Sequence, residues 1–247
     1  MLKKAPQAFA LLRVTQEVRR SAGGERPVAI AGASELVPLL AKELRTGGDA
    51  GAVVEGARTG AAALVWIGAA DDDALRAASR AGTPIVGVTD GQSLPYVLDT
   101  NLVSLVPGKS LPVDEIAAAL ARALGREGVG LAARLPMLRD QVIDELIEST
   151  AKRNALIGAA VFVPGVDMPI LTLNEAKLVL QIALAHGREL DSKLWPEILA
   201  VVGAGFGLRR VAAELLDLVP VAGWAVKGGV AFAGTRAIGE AARRRFA

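Results

Sequence analysis

From residue 27 to residue 125 the chain alternates short β-branched runs with helical ones. PVAIAG (27–32), GAVVEG (51–56), AALVWIG (62–68), TPIVGVTDG (83–91) and NLVSLV (101–106) are apolar on both faces, the pattern of strands buried in a parallel sheet. Between and after them, SELVPLLAKELRTGG, DDDALRAASRAG and PVDEIAAALARALG carry helical spacing, with Ser34, Asp71 or Pro112 near their starts and Gly past their ends. The pattern predicts a small doubly wound, mostly parallel α/β sheet of about five strands, covered by helices on each side. A further helix over 5–21 is expected to pack on that domain.

Beyond it the period stays helical. Residues 131–163 read as one long helix, amphipathic at first through Met137, Val142, Leu146 and Ile147, then apolar nearly all round until Pro164 and Gly165 stop it. More helices are expected over about 172–186, 194–206, 207–218 and 221–245. The fold class is therefore α/β plus all-α, with domains at 1–127 and 128–247. Within 154–235 each apolar run spans roughly 10–17 residues, whereas a bilayer-spanning helix needs about 20. This predicts a close-packed helical module that touches a membrane or a partner.

Composition sharpens this picture. The chain is 52% hydrophobic but only 4% aromatic, and its 27 glycines allow helices to approach closely. It has no Cys and one His, which excludes disulfides, thiolate chemistry and multi-histidine metal sites. No secretory pattern follows the N-terminal lysines, so a cytoplasmic location is expected, peripheral or integral to the inner membrane from the cytoplasmic side. Residues 193–247 hold eight Lys/Arg against four Asp/Glu, although the whole chain is only +2. The basic end Arg243, Arg244, Arg245 suits an anionic leaflet, and equally suits the dipole at a helix C-terminus.

The candidate chemistry is sparse. VVGAGFGLRR spaces Gly203, Gly205 and Gly207 wrongly for a dinucleotide fingerprint and lacks the acidic residue that should follow, so a helix pair with a tight crossing or a sharp turn is the favoured role. PGKS (107–110) follows the fifth strand, with Val103 where a phosphate loop needs Gly, and reads as a turn. After the first strand, Gly32, Ala33, Ser34 and Glu35 offer backbone N–H groups to an anion, with helix capping by Ser34 favoured. Thr89, Asp90 and Gly91 lie at a strand's C-terminal end, the ligand edge of open α/β sheets, where a turn explains them equally well. Asp71, Asp72 and Asp73 are read as caps rather than metal ligands. His186 closes a helix before Gly187. Asp167 caps a turn or pairs with Lys177 or Lys227, and Lys227 and Arg236 interrupt the last apolar helix and need partners, solvent or headgroups. No metal, cofactor or nucleic acid is expected.

The C-terminal half resembles the bacterial domain-of-unknown-function family numbered six-nine-seven, the helical domain of YcjF-type inner-membrane proteins that also occurs fused to Era-like GTPase domains. The marks are Pro164-Gly165 with Asp167, the AKLVLQIA helix ending in Gly187, the turn around Pro220 and Gly223, and Gly234-Thr235-Arg236 before Gly239-Glu240. The resemblance brings no catalytic residue, and it implies an inner-membrane surface or a GTPase as partner. The N-terminal half compares loosely with a GTPase-like or Rossmann-like domain, without GK[ST], D-x-x-G or N-K-x-D. The leading expectation is a non-enzymatic protein whose helical domain makes membrane or partner contacts beside a degenerate nucleotide-fold adaptor domain. A nucleotide or small-anion sensor and a soluble homo-oligomeric scaffold are the alternatives.

Overall fold

Five strands form one all-parallel sheet: β1 (Val28–Gly32), β2 (Val53–Glu55), β3 (Ala63–Ile67), β4 (Ile85–Thr89) and β5 (Leu102–Ser104). Their order is β2-β1-β3-β4-β5, which places the switch point between β1 and β3. The computed structural model describes residues 14–20, 22, 24–106, 108–160, 168–191, 196–197, 200, 203 and 223–247.

The two sheet faces are packed differently. Helices α1 (Val37–Arg45) and α3 (Val113–Leu124) share one face, over buried Val28, Ile30, Val65, Ile67, Val86 and Val88. On the other face α2 (Asp72–Arg80) sets Leu75 against Ala29, Ala31, Leu64, Trp66, Ile85 and Leu94. The cover comes closest over β4, where the position facing it is a glycine. At Gly87 a Cβ would meet Leu94 at 2.7 Å and Leu102 at 2.8 Å. Among the described residues, β4 and β5 are joined without an α-helix, by residues 90–98 and a short 3₁₀ turn, Asp99–Asn101.

Two expected caps separate here. Asp71 accepts from the N–H groups of Asp73 at 3.1 Å and Ala74 at 3.0 Å, so it caps α2. Ser34 does not cap α1. Leu36 occupies that position without a side-chain bond, and Pro38, with its locked φ, sits in the helix's first turn.

The long helix expected over 131–163 is broken. After α4 (Gly128–Arg134), Leu135 is extended (φ −123°, ψ 95°), and α5 runs Pro136–Ala160. Proline clashes with a helical residue before it and offers no N–H, so Pro136 restarts the helix instead of continuing it. The remaining described helices are α6 (Met168–Ala185) and α7 (Gly223–Phe246). The expected helices at 194–206 and 207–218 fall mostly outside the described residues.

The chain divides into two compact units, Ser21–Val142 and Met1–Arg20 with Ile143–Ala247. That differs from the expected boundary at 127/128, for two reasons. Arg134 binds Asp49 through Nε at 2.9 Å and Nη2 at 2.8 Å and donates to the Glu25 carbonyl at 3.0 Å, tying α4 into the α/β unit. The N-terminal helix was expected on the α/β domain, but its residues 14–20 belong to the helical unit. There Glu17 pairs with Lys177 at 2.6 Å and Arg19 donates to the Leu190 carbonyl at 2.6 Å.

Candidate functional site

The C-terminal edge of the sheet is more closed than the sequence suggests. Gly32 has φ +109°, and a Cβ there would collide with the Ile67 backbone. The Ala33 N–H donates to the Ile67 carbonyl at 2.8 Å and Gly68 N–H to Val88 at 2.8 Å, so the ladders continue past the strand ends. The Ala33 donor of the first candidate set is therefore used within the fold, while Ser34 and Glu35 are exposed beyond it. Thr89 is buried, and its hydroxyl donates to the Gln92 carbonyl at 2.7 Å, closing the turn that carries Asp90 and Gly91. Since β3 lies between β1 and β4, the set Gly32, Ala33, Ser34, Glu35 stands about 10 Å from the set Thr89, Asp90, Gly91, two strand spacings away. The two sets share an edge without forming one cradle. Lys109 lies in a turn, its N–H donating to the Val106 carbonyl at 3.1 Å.

Asp72 and Asp73 pair with Arg76 at 2.6 Å and 3.4 Å. Among the described residues no group of three His, Asp or Glu could hold a metal ion. The Asp49 carboxyl lies below its ordinary value because Arg134 hydrogen-bonds to it, with the Gly51 N–H adding to the effect.

The helical unit holds a buried polar cluster that the sequence reading missed. Asn154 on α5 and Thr235 on α7 are both fully buried. Asn154 Nδ2 donates to Thr235 Oγ1 at 2.9 Å, and Asn174 Nδ2 of α6 donates to Asn154 Oδ1 at 2.8 Å. Thr235 Oγ1 also lies 2.8 Å from the Ala231 carbonyl and 3.2 Å from Oε1 of buried Glu175. Three helices thus meet through one polar node inside an apolar interior. Asn154 and the Asn174-Glu175 pair were visible as polar breaks in apolar runs, but the sequence does not reveal that they converge.

Around this node α5 and α7 run antiparallel with glycines at the seam. A Cβ on Gly158 would meet Ala231 at 3.0 Å, one on Gly228 the Ala155 carbonyl at 3.1 Å, and one on Gly239 the Ile147 side chain at 2.5 Å. Small residues let the backbones close on each other.

Of the residues carrying the family resemblance, Gly187 ends α6 at φ +74°. Arg188 N–H reaches Ala183 at 3.0 Å and Gly187 N–H reaches Leu184 at 2.8 Å, which closes the helix end. Gly223 begins α7 and Thr235 joins the polar node. Arg236 is exposed, 5.9 Å above the Phe232 ring and 3.6 Å from Glu148. Pro164, Gly165, Asp167 and Pro220 lie outside the described residues, so the proposed pairing of Asp167 does too. The basic C-terminal end is partly neutralised: Arg243 pairs with Asp144, and Arg245 with Glu197 at 3.1 Å.

One end of the unit is apolar on its surface. Leu156 is 72% exposed, Ile170 48% and Leu173 41%. The Asn154–Asn174 bond sets these positions at one level of the α5–α6 pair, and Gly158 against the Lys227 carbonyl brings the start of α7 to the same level. Arg153 and Lys227 are exposed there. Across 150–160, 168–177 and 223–236 the one acidic residue is Glu175, which is buried. No described helix is long and apolar enough to cross a membrane.

No protein family matches the sequence, and no curated protein or solved structure matches it either.

Proposed function

We propose that the protein is a non-enzymatic contact protein whose helical unit docks on an anionic membrane surface, with the α/β unit as its attached adaptor. The observation that supports this is the end of the helical unit where Leu156, Ile170 and Leu173 are exposed beside Arg153 and Lys227, with no exposed carboxylate on the same helix segments. Exposed leucines gain by entering the acyl boundary, and each nearby cation adds about 1 kcal/mol against anionic lipid. With three half-exposed apolar side chains adding about 1 kcal/mol each, total binding is on the order of 5 kcal/mol, that of a reversible peripheral contact. The loop after β1, Gly32-Ala33-Ser34-Glu35, carries no Lys and no GK[ST] to hold phosphates and a magnesium ion, which favours an adaptor over nucleotide turnover.

Co-sedimentation of the full chain with vesicles tests this reading. Binding to phosphatidylglycerol-rich vesicles that weakens with salt and is absent from phosphatidylcholine vesicles is expected. Recovery of all the protein in the supernatant with both compositions would refute it.

A further inference from the structure

The missing helix between β4 and β5 leaves an open groove of about 360 Å³ at the N-terminal end of β4, on the edge opposite the loops discussed above. It lies between Gly82–Ile85, the 96–101 segment and the end of α3. The volume is within the range of small-ligand sites.

Three features suggest what would fill it. Leu94 and Val97 turn inward to pack over Gly87, while Tyr96 and Leu98 remain 51% and 70% exposed at the groove. Tyr96 has φ +64°, the one non-glycine with positive φ among the described residues. Gly or Asn would adopt that conformation at less cost, and such strain is concentrated where a side chain's placement is used. The ring is also held from outside the groove, since Arg76 Nε donates to Tyr96 Oη at 3.2 Å. Finally, Arg122 enters the lining with Nη2 donating to the Thr100 carbonyl at 3.0 Å, which uses one of its five N–H donors. Among the described residues Arg122 is the charged side chain of the lining, which includes no carboxylate.

We propose that this groove binds a small organic anion, a monocarboxylate on an apolar or aromatic body. The carboxylate would meet the free edge of the Arg122 guanidinium, and the body would lie against Tyr96 and Leu98. A guanidinium presents paired donors that fit a carboxylate, and a flat phenol ring and a leucine offer apolar area at small entropic cost. This site is independent of the membrane reading and uses none of its residues.

The test is a titration of ¹⁵N-labelled full-length protein with phenylacetate, with neutral 2-phenylethanol and inorganic phosphate as comparison probes. Saturable shifts confined to amides of 82–85, 96–101 and 122–123 are expected for phenylacetate, with Kd on the order of 1 mM for about ten non-hydrogen atoms in an open groove. Arg122→Gln and the neutral probe should each weaken binding about tenfold. Tyr96→Gly should fold at least as stably as the parent yet lose the shifts, separating the ring's use from a structural need for it. The proposal is overturned if phenylacetate gives no saturable shifts at this site, if Arg122→Gln binds as the parent does, or if phosphate binds as tightly as phenylacetate.

Discussion

Replacing Asn154 by Ala removes the centre of the node that joins α5, α6 and α7. The side chain is fully buried and makes two hydrogen bonds, to Thr235 at 2.9 Å and from Asn174 at 2.8 Å. Each bond is worth about 1 kcal/mol net, and a partner left unsatisfied in the interior adds about 1 kcal/mol more. Asn174 is only half-buried and can turn to water, and Thr235 keeps its bond to the Ala231 carbonyl, so that added cost is not incurred and the total is about 2 kcal/mol. Because the chain has two compact units, a single unfolding curve is a poor readout. Hydrogen exchange resolved by peptide mass is better. Peptides from 168–185 and 228–242 should exchange roughly 30-fold faster at their slowest amides, while those from β1, β3 and β4 keep their rates. Pairing Asn154→Ala with Thr235→Ala should cost less than the sum of the two by about 1 kcal/mol. Unchanged exchange in α6 and α7, or strictly additive costs, would refute the claim that this node holds the three helices in register.

Gly32→Ala should abolish folding of the α/β unit or cost it more than about 3 kcal/mol, since φ +109° and the Ile67 backbone leave no room for a Cβ; loss of near-ultraviolet circular dichroism from Trp66 would report it. Asp71→Ala should lower the stability of the α/β unit by about 1 kcal/mol, read as increased exchange in 72–80, because two cap bonds disappear. Asp49 has a folded pKa below its unfolded one, so its contribution is present above the unfolded value near pH 4 and is lost as pH falls through the lower folded value. Asp49→Asn should therefore be less stable than the parent at neutral pH and converge with it in acid, as followed by denaturation midpoints against pH; a gap that persists at pH 2 would contradict the assignment. Leu156→Glu should leave melting of the helical unit unchanged and reduce partition onto anionic vesicles by roughly tenfold to thirtyfold, through lost burial and added repulsion.

The α/β sheet was readable because parallel strands buried on both faces leave unbroken β-branched runs, and each helix ended at Gly or began at a cap such as Asp71. Strand order was not readable, since periodicity carries no information about which strands neighbour each other. The division into compact units was not readable for a similar reason: the bonds from Arg134 to Asp49 and from Lys177 to Glu17 join residues 85 and 160 positions apart. Pro136 was visible but outweighed by the apolar period on either side of it, although its steric effect on Leu135 decides the break. That the Ala33 N–H bonds to Ile67 and the Thr89 hydroxyl to Gln92 was not readable in the chain, because both partners are fixed by the turns and neighbouring strand of the folded sheet. Tyr96 carried no sequence signal, because a left-handed tyrosine looks like any surface aromatic until the backbone is seen.

Because the chain contains no cysteine, a single Leu156→Cys can carry an environment-sensitive fluorophore without background labelling. A matched label at Glu115→Cys, exposed on α3 of the other unit, serves as the comparison. Membrane docking through the α5–α6 end predicts a blue-shifted, lipid-quenched emission at position 156 with phosphatidylglycerol vesicles, and no change at 115 or with phosphatidylcholine. Emission at 156 that stays in its aqueous state with anionic vesicles would contradict the account.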